Sequence, residues 1–158
     1  TLDCRIRTFT GKTLDRIQIP VALSPFGRAA RYPVPRSMLR AVYPRRTLLH
    51  LSLADDHRQL AENTWFFEPD KYCDFPPGTL DLEITPQETH IWHITLNAAA
   101  VMRDVQLVPP QPGFVSDNFL TLLPGREKHI DIVFDDKAPS TRTPLQILPA
   151  SPAPYRGS

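Results

Sequence analysis

Proline is the residue that most constrains this chain. The sequence contains 18 prolines but only 6 glycines among 158 residues, whereas average usage is roughly 5% proline. Proline lacks a backbone N–H and clashes with the preceding helical turn, so prolines spread along the whole chain exclude long helices. Short strands joined by irregular loops remain possible, because strands tolerate proline at their ends and at sheet edges.

Apolar and polar residues alternate with a period of two between many of these prolines. The alternation is clear at 2–8, 49–53, 80–85, 91–96 and 129–134, and it is typical of a strand with one buried face. No helical period is found. We therefore predict an all-β fold of immunoglobulin-like antiparallel β-sandwiches, with about four to five strands before Gly78 and about five to six after it.

A proline-rich stretch at 68–78 marks the best domain boundary. It predicts two small sandwiches in tandem, at residues 1–77 and 78–137. Residues 138–158 are then expected to form a last short strand and a proline-rich tail.

Composition excludes several classes of function. Hydrophobic residues make up 41% and charged residues 22% of the chain, which is close to globular averages. The net charge of +1 gives no electrostatic reason to bind nucleic acid or an anionic membrane. No apolar run approaches the ~18 residues of a membrane span. The chain starts without methionine inside a strand pattern, so we expect a piece of a longer protein, either exported or cytoplasmic.

The stretch from Val115 to Gly125 has the most distinctive local sequence. Ser, Asp and Asn at 116–118 favour a tight turn into a strand, because their short side chains hydrogen-bond nearby backbone. Pro124 presets φ and Gly125 supplies a positive φ, which predicts a type II turn over 123–126. The unit is thus a corner, a strand, a turn and a second strand at 129–134.

The same stretch resembles the SDN-F-x-x-LLPG signature in the last immunoglobulin-like domain of family 2 glycoside hydrolases of the β-mannosidase type. The matching positions are Ser116, Asp117, Asn118, Phe119, Leu123, Pro124 and Gly125. Earlier residues resemble the penultimate domain of these enzymes. Its opening strand and x-Gly-Lys turn are similar to Leu2–Leu14, and its closing Asn-x-x-Phe-Phe-x-x-Pro segment is similar to Glu62–Pro69. The loop 24–46 has no counterpart, and the earliest strands are missing, so we expect a partial first domain.

This resemblance implies a parent enzyme that removes terminal β-linked mannose, or a related sugar, by a retaining mechanism. Such a mechanism uses two carboxylates roughly 5 Å apart. In the family both lie on a (β/α)8 barrel, which requires about 250 residues. No catalytic residue is therefore transferred to this chain. We expect it to be non-catalytic, without metal or cofactor, and to have the barrel and other domains of the parent as partners.

Several other residue patterns have simpler structural interpretations. The acidic pairs Asp55-Asp56 and Asp135-Asp136 fall where strands end, and His90 and His93 lie on opposite strand faces. Cys4 fits a small core position, while a disulfide with Cys73 is the alternative if the parent is exported. Six arginines in the proline-rich loop predict a solvated loop or a surface that docks on an acidic sister domain: Arg28, Arg31, Arg36, Arg40, Arg45 and Arg46.

The aromatic residues carry the main competing hypothesis. Trp65, Phe66 and Phe67 could form a platform for a sugar ring, although alternation requires only that at least one ring point outward. Trp92 shares a face with Ile94 and Leu96, so we expect it in the core. Three hypotheses therefore stand: an accessory segment of a hydrolase, a carbohydrate-binding module, and a structural or adhesin-like sandwich with open sheet edges.

Overall fold

The computed structural model describes residues 1–22 and 32–148. The chain divides into two compact units, Thr1–Asp74 and Phe75–Ser158. The predicted all-β fold is confirmed, since the described residues form eleven antiparallel strands and two short 3-10 helices. In this part of the chain, no helix has the length and hydropathy needed to cross a membrane.

The first unit contains one four-stranded sheet among its described residues, in the order β2-β1-β3-β4. Its strands are β1 (Leu2–Thr8), β2 (Thr13–Ile19), β3 (Thr47–Ala54) and β4 (Gln59–Phe66), and its 3-10 helices are Met38–Ala41 and Asp70–Tyr72. β2 ends at Ile19, where Pro20 removes the next ladder donor.

One face of this sheet is apolar. Cys4 and Ile6 are buried on β1, and Leu49 and Leu51 from β3 pack against them. Met38, from the first 3-10 helix, is buried in the same cluster. The helix therefore serves as a local cover for the sheet.

A carboxylate with two arginine partners lies on the other face of the sheet. Asp3 accepts hydrogen bonds from Arg5 Nη2 at 2.6 Å and from Arg16 Nη2 at 2.7 Å. Burial by itself would raise the pKa of Asp3, but the hydrogen bonds and charges of Arg16 and Arg5 outweigh it and lower the pKa to about 2. The three side chains tie β1 to β2.

The second unit is a sandwich of two sheets. Its strands are β5 (Leu80–Glu88), β6 (Ile91–Ala98), β7 (Met102–Val108), β8 (Gly113–Val115), β9 (Leu120–Leu122), β10 (Lys128–Phe134) and β11 (Gln146–Leu148). One sheet has the order β5-β6-β10-β8 and the other β11-β7-β9. β8 is a three-residue strand that begins at Gly113. It fits there because Gly113 has no side chain; a Cβ would come within 2.6 Å of the Val133 carbonyl oxygen.

The core of the second unit follows the alternation of its strands. Trp92 is fully buried, as predicted, and its ring meets that of Phe134 edge-on with centroids 4.9 Å apart. The same cluster contains Ile94, Leu96, Val105, Leu107, Leu120, Leu122, Ile130 and Ile132. These residues come from both sheets, so the sandwich is closed by packing between its two inner faces.

We expect Asp3 to make folding sensitive to acid. Its pKa is lowered from an ordinary value of about 3.9, so its stabilisation is full above about pH 4 and is lost as the pH falls towards about 2. Asp3→Asn should lower the free energy of unfolding at pH 7 by about 1–2 kcal/mol and flatten its pH dependence in that window. Urea unfolding at several pH values measures both effects. The control is Asp136→Asn, at an exposed site; equal pH slopes in wild type and Asp3→Asn would contradict this account.

Candidate functional site

The signature residues form a corner between the two sheets of the second unit. The chain leaves β8 in one sheet and enters β9 in the other. Ser116 extends the pairing with β10: its N–H donates to the Asp131 carbonyl at 2.9 Å, and its Oγ accepts the Asp131 N–H at 2.9 Å. Asp117 forms an ion pair with Lys128 at 2.9 Å. One end of the corner is therefore held to β10.

Asn118 holds the other end of the corner to β7. Its Oδ1 accepts the Leu107 N–H at 2.8 Å, and its Nδ2 donates to the Leu107 carbonyl at 3.0 Å. The side-chain amide thus takes the place of a peptide group beside β7. We had predicted that these polar residues would bond mainly to their own backbone; only the bond from the Phe119 N–H to Asn118 Oδ1, at 3.0 Å, is of that kind.

Phe119 combines two unusual properties. Its φ is +55°, a left-handed conformation that is unfavourable for a bulky side chain. Its side chain is also 64% exposed. Strand β9 begins directly after Phe119, at Leu120, and its apolar residues Leu120 and Leu122 are buried.

The second half of the signature is a turn closed by a backbone hydrogen bond. The Arg126 N–H donates to the Leu123 carbonyl at 3.2 Å, and Gly125 has a φ of +73°. A type II turn requires positive φ at this position. Leu123 is buried just before the turn, so the signature positions other than Phe119 have evident structural roles.

The three aromatic residues at the end of β4 do not form one platform. Trp65 is 64% exposed, while Phe66 and Phe67 are half-buried. Phe66 lies with its ring centroid 5.8 Å from that of Phe9. Phe67 instead packs against the Cys4 and Ile6 cluster. Alternation along the chain sends neighbouring rings to different faces.

Two candidate titratable residues, Asp55 and His93, have side-chain partners within their own unit. Asp55 caps its hairpin turn by accepting the N–H groups of His57 and Arg58, and these bonds lower its pKa. His93 Nδ1 lies 2.7 Å from Asp131 Oδ1, and the His93 ring stacks on His129. Within residues 1–22 and 32–148, no group of three His, Cys, Asp or Glu side chains could hold a metal ion.

The structure also shows the bonding state of the cysteines and the surroundings of four arginines from the proline-rich loop. The structure shows no disulfide between Cys4 and Cys73; burial raises the pKa of the Cys4 thiol. Arg45 and Arg46 bind the carboxylate of Asp74 at 2.8 and 3.0 Å. Arg36 and Arg40 are exposed, whereas Arg28 and Arg31 lie outside the described residues.

Comparison with known proteins agrees with this architecture. Residues 76–147 match the Ig_mannosidase family model, an Ig-fold domain. The solved structure of a β-D-mannosidase from Dictyoglomus thermophilum matches with a TM-score of 0.69 and 18% identity. The match covers 95% of this chain but only 18% of the mannosidase chain. No curated protein sequence matches.

These matches define the chain as an all-β protein with an immunoglobulin-like domain. The predicted resemblance to the C-terminal domains of β-mannosidase-type glycoside hydrolases is confirmed. The chain spans about one fifth of the length of the mannosidase structure that it resembles.

We expect Asn118 to be required for the stability of the second unit. Asn118→Ala leaves the N–H and carbonyl of Leu107 without their side-chain partners, which should cost about 2–3 kcal/mol. Urea unfolding followed by the fluorescence of buried Trp92 in a Trp65→Phe background measures the loss. Asn97→Ala is the matched control at an exposed strand position. A loss no larger than that of the control would contradict the proposed role of the amide.

We expect Phe119→Asn to stabilise the chain. Asparagine adopts a left-handed backbone more readily than phenylalanine, so relief of strain should add about 0.5–1 kcal/mol to the free energy of unfolding. Phe114→Asn is the matched control, because Phe114 is 66% exposed but lies in strand β8. It should be neutral or destabilising, since asparagine is a poor strand residue. Equal shifts of the urea midpoint in both variants would exclude backbone strain as the cause.

Proposed function

We propose that this chain is the non-catalytic C-terminal accessory segment of a β-mannosidase-like glycoside hydrolase. In this proposal the first unit is a partial penultimate immunoglobulin-like domain, and the second is the C-terminal domain. Together the two units brace the catalytic barrel of the same polypeptide. The observation that carries it is the match of residues 76–147 to an Ig-fold domain family named for mannosidases. The signature corner at Ser116–Gly125 lies within that match.

Exposed aromatic side chains support a bracing role. Phe119 and Phe114 in the second unit and Trp65 in the first are each about two-thirds exposed. Aromatic residues dominate the energetics of protein interfaces. Contacts between domains of one chain typically bury about 600–1,500 Å². Exposed aromatic rings are suited to the centre of such a contact.

The strained backbone conformation of Phe119 also supports the accessory role. A strained conformation persists where the surrounding structure enforces it, and such residues cluster at functional sites. At this corner the chain holds a bulky apolar ring in solvent, at a position where asparagine or glycine would be less strained. A partner that covers the ring would offset that cost.

A carbohydrate-binding module remains the second candidate because Trp65 is so exposed. Binding modules of this kind need a ring that a sugar can stack on, with polar groups around it. Trp65 meets the first condition. Its neighbours Phe66 and Phe67 do not extend the platform, so the accessory role is the better supported proposal.

The test compares this chain with the complete product of its gene. We expect the isolated chain to be inactive on an aryl β-mannoside and to give no heat with manno-oligosaccharides at millimolar concentration. The complete product should hydrolyse the aryl β-mannoside and should lose thermal stability when these 158 residues are deleted. The accessory proposal fails if the gene encodes no catalytic barrel. Saturable heat from the isolated chain would instead favour the binding module, and Trp65→Ala, which removes the ring, should then abolish it.

A further inference from the structure

Charge is divided unevenly between the two units of the chain. Residues 1–74 contain twelve Lys and Arg residues but eight Asp and Glu residues, which gives a net charge of +4. Residues 75–158 contain six and nine, which gives a net charge of −3. The whole-chain charge of +1 therefore hides two regions of opposite sign, and such regions attract each other between molecules.

Positive charge in the first unit lies beside two exposed tyrosines. Arg45 Nε donates to the Tyr72 carbonyl at 2.7 Å, and Lys71 Nζ lies 4.8 Å from the centroid of the Tyr72 ring. The Arg46 N–H donates to the Tyr43 carbonyl at 2.8 Å. Tyr43 is 64% exposed and Tyr72 is 51% exposed. Arginine and aromatic side chains are the residues enriched at protein interfaces.

Cations outnumber carboxylates in this part of the first unit. The segment 36–46 is compact, because the N–H groups of residues 39, 40, 42 and 46 each donate to the carbonyl three residues earlier. Asp70 and Asp74 are the carboxylates beside it, and Asp74 is shared between two guanidinium groups. The basic surface consists of the two tyrosines and five exposed cations: Arg36, Arg40, Arg45, Arg46 and Lys71.

Two of these cations are available to a second molecule. Arg36 and Arg40 have no ion-pair partner among the described residues. Arg45 and Arg46 are oriented by Asp74, and 63% and 74% of their side chains are still exposed. A guanidinium group binds a carboxylate through two parallel N–H donors. The basic surface is therefore suited to a partner that presents several carboxylates.

The outer face of the sheet β5-β6-β10-β8 carries the complementary charge. Glu83 on β5 pairs with Thr95 on β6, and Thr95 pairs with His129 on β10. In the next row His93 pairs with Asp131. These positions alternate with buried core residues, so they face away from the core. The acidic surface consists of the exposed carboxylates of this face: Asp81, Glu83, Glu127 and Asp131.

These carboxylates have no lysine or arginine among them. None of the outward positions described for β5, β6 and β10 is Lys or Arg. Lys128 begins β10 at an inward position, opposite Leu96, and its charge is already paired with Asp117 at 2.9 Å. The acidic surface therefore keeps a negative field that a cationic partner can neutralise.

We propose that two copies of this chain associate, the basic surface of one molecule binding the acidic surface of the other. The arginines form charge-assisted hydrogen bonds with the carboxylates, and the exposed rings of Tyr43 and Tyr72 are covered in the contact. The inference goes beyond the proposed accessory role, because its partner is a second copy of the chain and not a catalytic barrel.

The first measurement is the mass of the chain in solution as a function of salt. The Debye length is about 20 Å at about 20 mM salt and about 4 Å at about 500 mM. At low salt, sedimentation should show a weight-average mass that rises with protein concentration above the 17.9 kDa of one chain. At high salt the mass should return to that of one chain, because exposed ion pairs are screened.

Charge reversal identifies the two surfaces. Arg36→Glu with Arg40→Glu should raise the dissociation constant on the order of a hundredfold, because like charges then face each other. Asp81→Lys with Glu83→Lys should do the same. A mixture of these two double variants should associate again, since each then offers the other an oppositely charged surface.

The matched control reverses two exposed charges in the hairpin turns of the first unit. Lys12→Glu with Arg58→Glu changes the net charge by the same amount as the arginine pair, and it should leave most of the association intact. Circular dichroism and the urea midpoint verify that every variant is folded. A variant that fails this check is replaced by the corresponding pair of glutamine substitutions.

Four results would overturn the inference. The chain could stay at 17.9 kDa at low salt, or its association could persist at high salt, which would indicate an apolar contact. The control could weaken the association as much as the arginine pair, which would indicate a general effect of net charge. The mixture of the two double variants could remain monomeric, which would place the contact elsewhere.

Discussion

The architecture of the second unit depends on the side-chain amide of Asn118, which takes the place of a peptide group beside β7. The Asn118 side chain accepts a hydrogen bond from the N–H of Leu107 and donates one to its carbonyl. Two residues earlier, Ser116 accepts a hydrogen bond from the N–H of Asp131 through its Oγ and donates its own N–H to the Asp131 carbonyl. The two residues fasten one short corner to strands of different sheets. Because a buried peptide group without a partner is costly, this corner lets the chain cross between sheets without leaving such groups behind.

The same corner explains the conformation of Phe119. A chain that has just bonded to β7 through Asn118 must turn sharply to enter β9, and the left-handed backbone at Phe119 makes that turn. The buried residues Leu120, Leu122 and Leu123 follow at once. Leu120 and Leu122 lie in the core of the second unit, while the ring of Phe119 is left in solvent.

The two units differ in how their apolar faces are closed. The second has two sheets with a continuous core, whereas the described part of the first has one sheet and a small cover around Met38. Asp3 with Arg5 and Arg16 ties β1 to β2 on the opposite face.

Much of this architecture was determined by the sequence. Prolines excluded long helices, period-two alternation placed the main strands, and Pro124-Gly125 specified a turn with a positive φ, because all three act through local backbone sterics. Tertiary structure decided what local rules cannot reach. The short polar residues of the corner bond to β7 and β10, and the short strand β8 pairs with β10. Those outcomes depend on strands far apart in sequence, and only their packing brings the partners together.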